Sequence, residues 1–508
     1  MSTQCRCKEA CVILETHKQQ RSQKGLAVKQ LKDNRRFTLL FLLTMGFMSP
    51  GILDAATSDN ADYLQAVVDY AQMMLEHSRD TYGDVHTPLF AEELDRTTLR
   101  MLEGDALKTA AAIPREEWGI RAPDRMLGGA NPQHCLNLYQ ILYALTTITG
   151  QTTYAEEADA SLKYFFEHCQ SPATGLFYWG EHAGWDLRAN QPLEHRAGNI
   201  HEFYRPWTLW ERSWRLAPEA CRRFAVGLWE HQIGDHNTGD FSRHAGISEH
   251  GPGVNAPYAR HGGFYIETWA QAYAETGSEI FVRAIDAVLK GLERARLHEG
   301  GYLVGGSTEN GARRSHDVSL AISLENAASN MPAELAEEMR AVAAANDAVF
   351  TQERNEQGTT TTPSDANLWS NAYGSGARVG RANVLMLRYR QTALDAYRQT
   401  ILEEAVLYRD REIILDSPVW PGTVGDAVWL MLNAYELTGE DSYLNAAKRF
   451  AQQGTKLFLA DAPLPKASHA HDHYEAVTNG DMLMMALMRL WLTTQQPEAG
   501  VTLIYTDR

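Results

Sequence analysis

Apolar residues recur at intervals of three and four along most of this chain. The first such run lies in residues 63–77 and comprises Leu64, Val67, Val68, Ala71 and Leu75. That spacing puts the side chains on one face and predicts an amphipathic α-helix. Alternating β-branched residues, which would predict strands, are almost confined to residues 501–505. The pattern therefore predicts an all-α protein.

Three segments, 138–166, 264–292 and 426–450, repeat one arrangement. In each, an apolar run ends in Thr-Gly, and an aromatic residue four positions after the glycine begins a second apolar run. Glycine ends helices because it readily takes the left-handed conformation. Each segment is therefore predicted to be a helical hairpin, used repeatedly along the chain.

Other paired runs keep the helical period without the Thr-Gly signal. They are 200–216 with 218–232, 319–329 with 332–352, and 382–390 with 394–409. Together with the first helix and a last one at 480–494, the pattern gives roughly fourteen helices.

A long series of helical hairpins without a linker predicts one domain over residues 57–508. We expect a toroid of hairpins, that is, an (α/α)6 or (α/α)7 barrel. The alternative is an open α-solenoid of the protein-binding kind. Three long loops, 175–200, 234–263 and 300–317, are rich in His, Trp, Arg and Gly. Long loops of this composition usually carry function, which favours the barrel.

Residues 1–56 differ from the rest of the chain. They contain nine Lys or Arg and four Asp or Glu, and Arg35-Arg36 precede a short apolar run, 37–48. A basic N-terminal part, a short apolar run and small residues after that run are typical of a secretory signal. The apolar run is short for a membrane span. The sequence predicts a leader with a signal peptide, and a periplasmic or secreted protein.

Composition narrows the classes of function. The formal net charge of −17 argues against nucleic-acid binding, which needs a basic surface. The 12 Trp, 21 Tyr and 15 Phe would suit a carbohydrate cleft, although aromatic residues also fill cores. Outside the leader, Cys135, Cys169 and Cys221 show no metal or redox spacing, so we expect buried thiols.

His182, Glu202 and His244 are a candidate set of metal ligands. They are 20 and 42 residues apart, so only the fold could bring them together. Two imidazoles and one carboxylate suit manganese, zinc or another divalent transition ion. Among 18 scattered His residues, an ordinary structural role for all three is the competing interpretation. A local cluster in residues 469–473 is a second candidate, or else a solvated loop.

The ordered set of His182, Glu202 and the dipeptide Arg243-His244 resembles polysaccharide lyase family 2, the pectate lyases. That resemblance implies an (α/α)7 barrel and a divalent metal held by His182, Glu202 and His244. It also implies that Arg243 acts as the catalytic base. Without this resemblance, Arg243 would be assigned to binding a substrate carboxylate, and the catalytic base would be Tyr258 or His261. The candidate substrate-binding residues are Trp179, Trp207, Tyr258, Arg260, His261 and Arg314.

These residues suggest three functions. The first is a metal-dependent carbon–oxygen lyase that cleaves an acidic, uronic-acid-containing polysaccharide or oligosaccharide, with pectate or polygalacturonate as the leading substrate. The second is a glycoside hydrolase that acts on uronic-acid-containing oligosaccharides with two carboxylic acids on the same barrel. The third is a non-catalytic helical scaffold or sugar-binding protein.

Overall fold

The computed structural model describes residues 58–194, 199–200, 203–243, 245–251, 258–305, 311–357, 368–371 and 378–508. The predicted leader lies outside these residues. Helices dominate the described part of the chain, in the order α1 Ser58–His77, α2 Gly104–Ala111, α3 Arg115–Trp118, α4 Leu136–Thr149, α5 Thr153–His168, α6 Trp210–Leu216, α7 Pro218–Gly227, α8 Ala259–Thr276, α9 Glu279–Glu299, α10 Val318–Ala328, α11 Ala333–Gln357, α12 Arg378–Thr392, α13 Asp395–Arg409, α14 Pro421–Thr438, α15 Asp441–Phe458 and α16 Gly480–Gln495.

The strands are short and lie in the connections between helices. They are β1 Arg79–Asp80, β2 Thr87–Phe90, β3 Glu93–Leu94, β4 Gly129–Ala130, β5 Ala183–Asp186, β6 Gln191–Glu194, β7 Asn199–Ile200, β8 Ile233–Asp235, β9 Asp240–Phe241, β10 Ala245–Gly246, β11 Tyr302–Gly305, β12 Arg313–Ser315 and β13 Tyr474–Glu475. All the pairings between these strands are antiparallel, and five sheets have two strands while β4-β5-β6 has three.

The helices pack as successive pairs around a closed ring. Six pairs are sequential, namely α4–α5, α6–α7, α8–α9, α10–α11, α12–α13 and α14–α15, and the last helix, α16, pairs with the first, α1. The inner helices α8, α10, α12, α14, α16 and α4 contact one another in that order, and α6 and α7 contact α8. The prediction of an α/α barrel is confirmed, with seven pairs in the described residues.

Thr-Gly ends three of the hairpin helices as predicted. Gly150, Gly277 and Gly439 take left-handed φ angles of 74°, 65° and 71°. In this conformation the glycine N–H can reach back into the last turn, and each donates to the carbonyl four residues before it. Inner helices such as α14 are buried along most of their length, whereas the outer helix α15 buries one face.

The C-terminal segment 505–508 lies inside the barrel. Tyr505, Thr506 and Arg508 are all buried. The Tyr505 hydroxyl donates to an Asp426 carboxylate oxygen on α14, and the Thr506 hydroxyl donates to the Asn137 side chain on α4. The β-branched run 501–505 therefore forms no strand, and of its residues only Tyr505 is buried.

Arg508 fixes this segment to α8 and α10. Its guanidinium donates to both Glu267 carboxylate oxygens at 2.7 and 2.8 Å, and to Ser319 and Ser323. The segment consequently contacts the first turns of α4, α8 and α10, so the amino ends of these inner helices meet at one end of the barrel.

No helix in the described part of the chain is long and apolar enough to cross a membrane.

Candidate metal and substrate site

His182 is positioned by the three-stranded sheet. It directly precedes β5, which pairs with β4 through Gly129↔Asp186 and Ala130↔Trp185. This pairing brings the short 3₁₀ helix Ala122–Arg125 beside His182. The approach favours a glycine at 184, because a Cβ there would make a tight contact of 3.0 Å with the Ala130 carbonyl oxygen.

Three further polar residues surround His182. Its Nδ1 lies 2.7 Å from Asp124 Oδ1, and its Nε2 lies 3.7 Å from Glu181 Oε2. Arg121 joins the two acids, since its Nε donates to Asp124 Oδ2 at 2.5 Å and its Nη2 to Glu181 Oε1 at 3.5 Å. His182 is fully buried, which would suit a core histidine, but both of its ring nitrogens face carboxylates.

This cluster suits a divalent cation. Among the described residues, only Asp124, Glu181 and His182 group ligand atoms closely enough to hold a metal ion, all within 4.8 Å of one another. Two atoms 3.7 Å apart, such as His182 Nε2 and Glu181 Oε2, can both lie about 2.1 Å from one ion. The donor set of imidazole and carboxylate suits a transition ion such as manganese. Neither Asp124 nor Glu181 was among the residues predicted to hold the metal.

The other two predicted ligands, Glu202 and His244, lie outside the described residues, as does His201. Their described chain neighbours are paired. Ile200 of β7 is opposite Ala245 of β10, and Asn199 is opposite Gly246.

Arg243, the predicted base, is described and contacts Tyr258. Its guanidinium carbon lies 4.0 Å from the centroid of the Tyr258 ring, a cation–π geometry. Its buried Nε has no hydrogen-bond partner among the described residues. The Tyr258 ring is in turn 6.1 Å from the ring of His261, in an edge-on arrangement. The structure thus brings together three predicted site residues.

Arg260 points to the barrel interior rather than to open solvent. Its Nε donates to the Arg508 backbone oxygen at 2.6 Å and its Nη2 to the Tyr204 carbonyl at 2.7 Å. Burial lowers the pKa of Arg260, and the charges of Asp507, Asp317 and Glu181 partly offset that effect. Because Glu181 acts on Arg260 electrostatically, the His182 cluster and the first turn of α8 lie at the same end of the barrel.

Arg314 lies one strand further out. Tyr258 bridges to Leu303 of β11, and Leu303 is opposite Arg314 in the β11–β12 hairpin. Neighbouring strands are about 4.8 Å apart, so the Arg314 backbone is about 10 Å from that of Tyr258. The Arg314 side chain pairs with Glu299 at 2.8 Å.

Trp179 and Trp207 lie in an aromatic core. Their ring centroids are 5.1 Å apart, and Trp179 also packs against Phe177 at 4.8 Å and Phe224 at 5.4 Å. Trp179 is fully buried, and the Trp207 indole N–H donates to the Ser213 hydroxyl. These positions are those of packing residues, and stacking of either ring on a sugar stays a prediction without support from this geometry.

The sequence did not predict a second group of buried charges, which lies beside the site. Arg125 forms a two-pronged pair with Glu475, both N···O distances being 2.6 Å, and neither side chain is exposed. Burial alone would raise the pKa of Glu475, but the Arg125 charge outweighs it and holds the pKa at about 2. Nearby, His134 Nδ1 lies 2.8 Å from a Glu92 carboxylate oxygen, and burial lowers the pKa of His134 to about 3 while raising that of Glu92.

The histidines of residues 469–473 are dispersed among separate partners. His469 accepts from the Val419 N–H, His471 lies 2.7 Å from the Ser468 hydroxyl, and His473 lies 3.0 Å from Glu475. They form a hydrogen-bonded loop in which His473 is buried, whereas the competing interpretation was a solvated loop. The three described cysteines are buried free thiols, as predicted.

The segment 115–288 matches a protein-family model described as periplasmic pectate lyase. Over 110 residues the chain is 28% identical to a pectate disaccharide-lyase of Dickeya dadantii (strain 3937). That alignment covers 21% of this chain and 20% of the relative, so the two align over about a fifth of their lengths.

Solved structures align over more of the chain at lower identity. A D-mannose isomerase gives a TM-score of 0.47 at 9% identity, over 87% of this chain and 100% of that one. A sugar epimerase from a ruminal bacterium gives 0.41 at 12%, over 83% and 98%. An α-1,6-mannanase of Salegentibacter sp. gives 0.40 at 12%, over 84% and 100%.

The family model covers less than half of the chain, but the matched part contains the residues that carry the resemblance to the lyase family. His182, Glu202 and the Arg243-His244 dipeptide all fall within 115–288, whereas Arg314 does not. The predicted remote resemblance of this chain to polysaccharide lyase family 2 is confirmed.

Proposed function

We propose that this protein is an exported, metal-dependent lyase that cleaves a uronic-acid-containing glycan, such as polygalacturonate, by β-elimination. The family model that matches residues 115–288 and the partial match to a pectate disaccharide-lyase support this activity. The basic, then apolar leader and the periplasmic description of that family support export to the periplasm or beyond.

The observation that carries the proposal is the environment of His182. Its Nδ1 is bonded to Asp124 and its Nε2 faces Glu181, so a buried imidazole is oriented by one carboxylate and presented beside another. Metal-binding histidines usually have such a partner on the second nitrogen. An ordinary core histidine would not need two carboxylates, whose burial is costly.

His182, Glu202 and His244 would hold the metal. The pairing of Ile200 with Ala245 supports a common site for Glu202 and His244, because Glu202 follows Ile200 by two residues and His244 directly precedes Ala245. A bound divalent cation supplies a Lewis acid for the carboxylate of the uronate, which stabilises charge that develops there when the C5 proton is lost.

Arg243 would take the C5 proton. As that C–H bond breaks, its electron pair forms the C4–C5 double bond. The bond from C4 to the glycosidic oxygen breaks with its electron pair on the oxygen, and water supplies the proton of the new reducing-end hydroxyl. Arginine is a poor base in water, where its pKa is above about 12. A bound cation beside a base favours its neutral form. Arg243 is half-buried, its Nε is buried, and its guanidinium lies against the Tyr258 ring. Tyr258 would hold the guanidinium in place by the same contact.

Polymer cleavage with polygalacturonate, glucuronan and alginate tests the proposal. We expect an ultraviolet-absorbing unsaturated uronate from at least one polymer, and its loss in Arg243→Ala by at least 10²-fold, the lower range for general base catalysis. Arg215→Ala, which removes an exposed arginine paired with Glu211 on α6, is the control and should retain activity. Absence of the unsaturated product from all three polymers would contradict the lyase, and reducing ends without it would indicate a hydrolase.

A further inference from the structure

We propose that Asp124 is a positioning residue that fixes His182 in the tautomer with a proton on Nδ1 and a lone pair on Nε2. This inference rests on the proposed function, because the purpose of that tautomer would be to offer Nε2 to the metal. It concerns a residue 58 positions away in sequence, in the 3₁₀ helix Ala122–Arg125.

The hydrogen bonds of Asp124 identify the proton donor. Oδ2 accepts from Arg121 Nε at 2.5 Å, and Oδ1 lies 2.7 Å from His182 Nδ1. Both Asp124 oxygens are placed as acceptors, one for the Arg121 guanidinium and one for the imidazole. The contact therefore holds a proton on Nδ1, and in the tautomer that can bind a metal Nε2 carries the lone pair.

The same geometry shows that Asp124 is an orienting partner and not a third ligand of one ion at Nε2. The two imidazole nitrogens direct their bonds away from each other. An ion about 2.1 Å from Nε2 would consequently lie more than about 6 Å from Asp124 Oδ1, far beyond bonding distance. Glu181 Oε2, on the Nε2 side, is the carboxylate oxygen within reach of such an ion.

Arg121 completes the arrangement by fixing both acids. It donates to Asp124 and to Glu181, so a single guanidinium sets the spacing between the orienting carboxylate and the one beside Nε2. Asp124 and His182 have side-chain exposures of 2% and 0%, so water cannot easily replace the lost contact if Asp124 is removed.

Mn²⁺ binding to the full chain tests the role of Asp124, with equilibrium dialysis and metal analysis as the readout. Loss of an orienting partner typically weakens metal binding about 10–100-fold, which we expect for Asp124→Ala. Asp124→Asn keeps an acceptor for Nδ1–H and should be intermediate. Asp347→Asn is the matched control, because Asp347 is a buried aspartate on α11 that pairs with Arg388 of α12 and Tyr397 of α13, not with His182. It should lose stability but bind Mn²⁺ as the wild type does.

The tautomer itself is measured without metal, by ¹⁵N NMR of histidine-labelled protein. The His182 signals are identified by their loss in His182→Gln. We expect a proton on Nδ1 in the wild type, and a shift towards protonated Nε2 in Asp124→Ala. A wild type with the proton on Nε2, or an Asp124→Ala variant with wild-type Mn²⁺ affinity, would overturn the inference. Failure of the wild type to bind Mn²⁺, with the Nδ1 tautomer present, would instead overturn the metal-dependent function and leave the orienting contact in place.

Discussion

Arg508→Ala should remove the clamp that holds the C-terminal segment inside the barrel. The wild-type guanidinium makes five hydrogen bonds, two to Glu267 and three to Ser319 and Ser323, and the Arg508 and Glu267 side chains are 4% and 15% exposed. Removing one member of a buried ion pair leaves the other charge without compensation and costs about 3–5 kcal/mol. We expect a loss of that size in the free energy of unfolding.

Urea denaturation followed by circular dichroism measures this loss, and thermal unfolding gives a second estimate. The entropy of unfolding is about 2.1 cal/mol/K per residue, so for about 450 folded residues the melting temperature should fall by about 3–5 °C. The double variant Arg508→Met with Glu267→Gln removes the stranded charge and should recover most of the loss. A loss below about 1 kcal/mol for Arg508→Ala, the range of exposed pairs, would refute the view that this segment is anchored in the interior.

Three more substitutions separate structural roles from site roles. Burial raises the pKa of Asp481 from 3.8 to about 6. The neutral carboxyl therefore contributes about 3 kcal/mol to the free energy of unfolding below pH 4, and this contribution is lost as pH rises through 6. Asp481→Asn should remove this pH dependence from urea midpoints measured between pH 4 and 7. Trp179→Ala should cost about 3–5 kcal/mol in the free energy of unfolding, because its ring packs in the aromatic core, whereas a small loss with a raised KM would indicate a sugar-stacking role. Arg314→Ala should leave the melting temperature nearly unchanged, because its partner Glu299 is half-exposed, and a rise in KM at constant kcat would support its predicted substrate role.

The barrel was predictable because its signals are local. Helical periodicity and the Thr-Gly ends at Gly150, Gly277 and Gly439 depend on residues within one or two turns, and the structure has helices that end at these positions. The sequence also predicted the first and last helices of the ring, α1 and α16, although only the structure shows that they pack together. The leader remains a prediction.

The site was predictable only in part, since its contacts join distant segments. His182 was singled out as a metal ligand, but Asp124 is 58 residues away and one of 64 acidic residues, so no spacing rule could pair them. The β4–β5 pairing creates that contact. The same limit applies to Arg260, which was predicted to bind substrate and whose side chain donates to the Arg508 backbone, 248 residues further along. An irregular segment such as 505–508 has no periodicity that reveals where it docks.

The aromatic residues show a different limit. Trp179 and Trp207 each stand two residues from a charged one, Glu181 and Arg205, as cleft residues would, but their rings pack in the core. A tryptophan next to His or Glu in a loop can direct its large apolar surface inward while its neighbours face the site. Composition cannot separate these two orientations.

We propose that a divalent metal and residues around His182 support β-elimination. The most direct measurement follows unsaturated uronate and new reducing ends together, on the polymer that the wild type cleaves, before and after chelation and again after Mn²⁺ is restored. We predict that both products appear at equal rates, disappear together with chelator and return with Mn²⁺. Reducing ends that form without the unsaturated product, or cleavage that chelator leaves unchanged, would contradict the account.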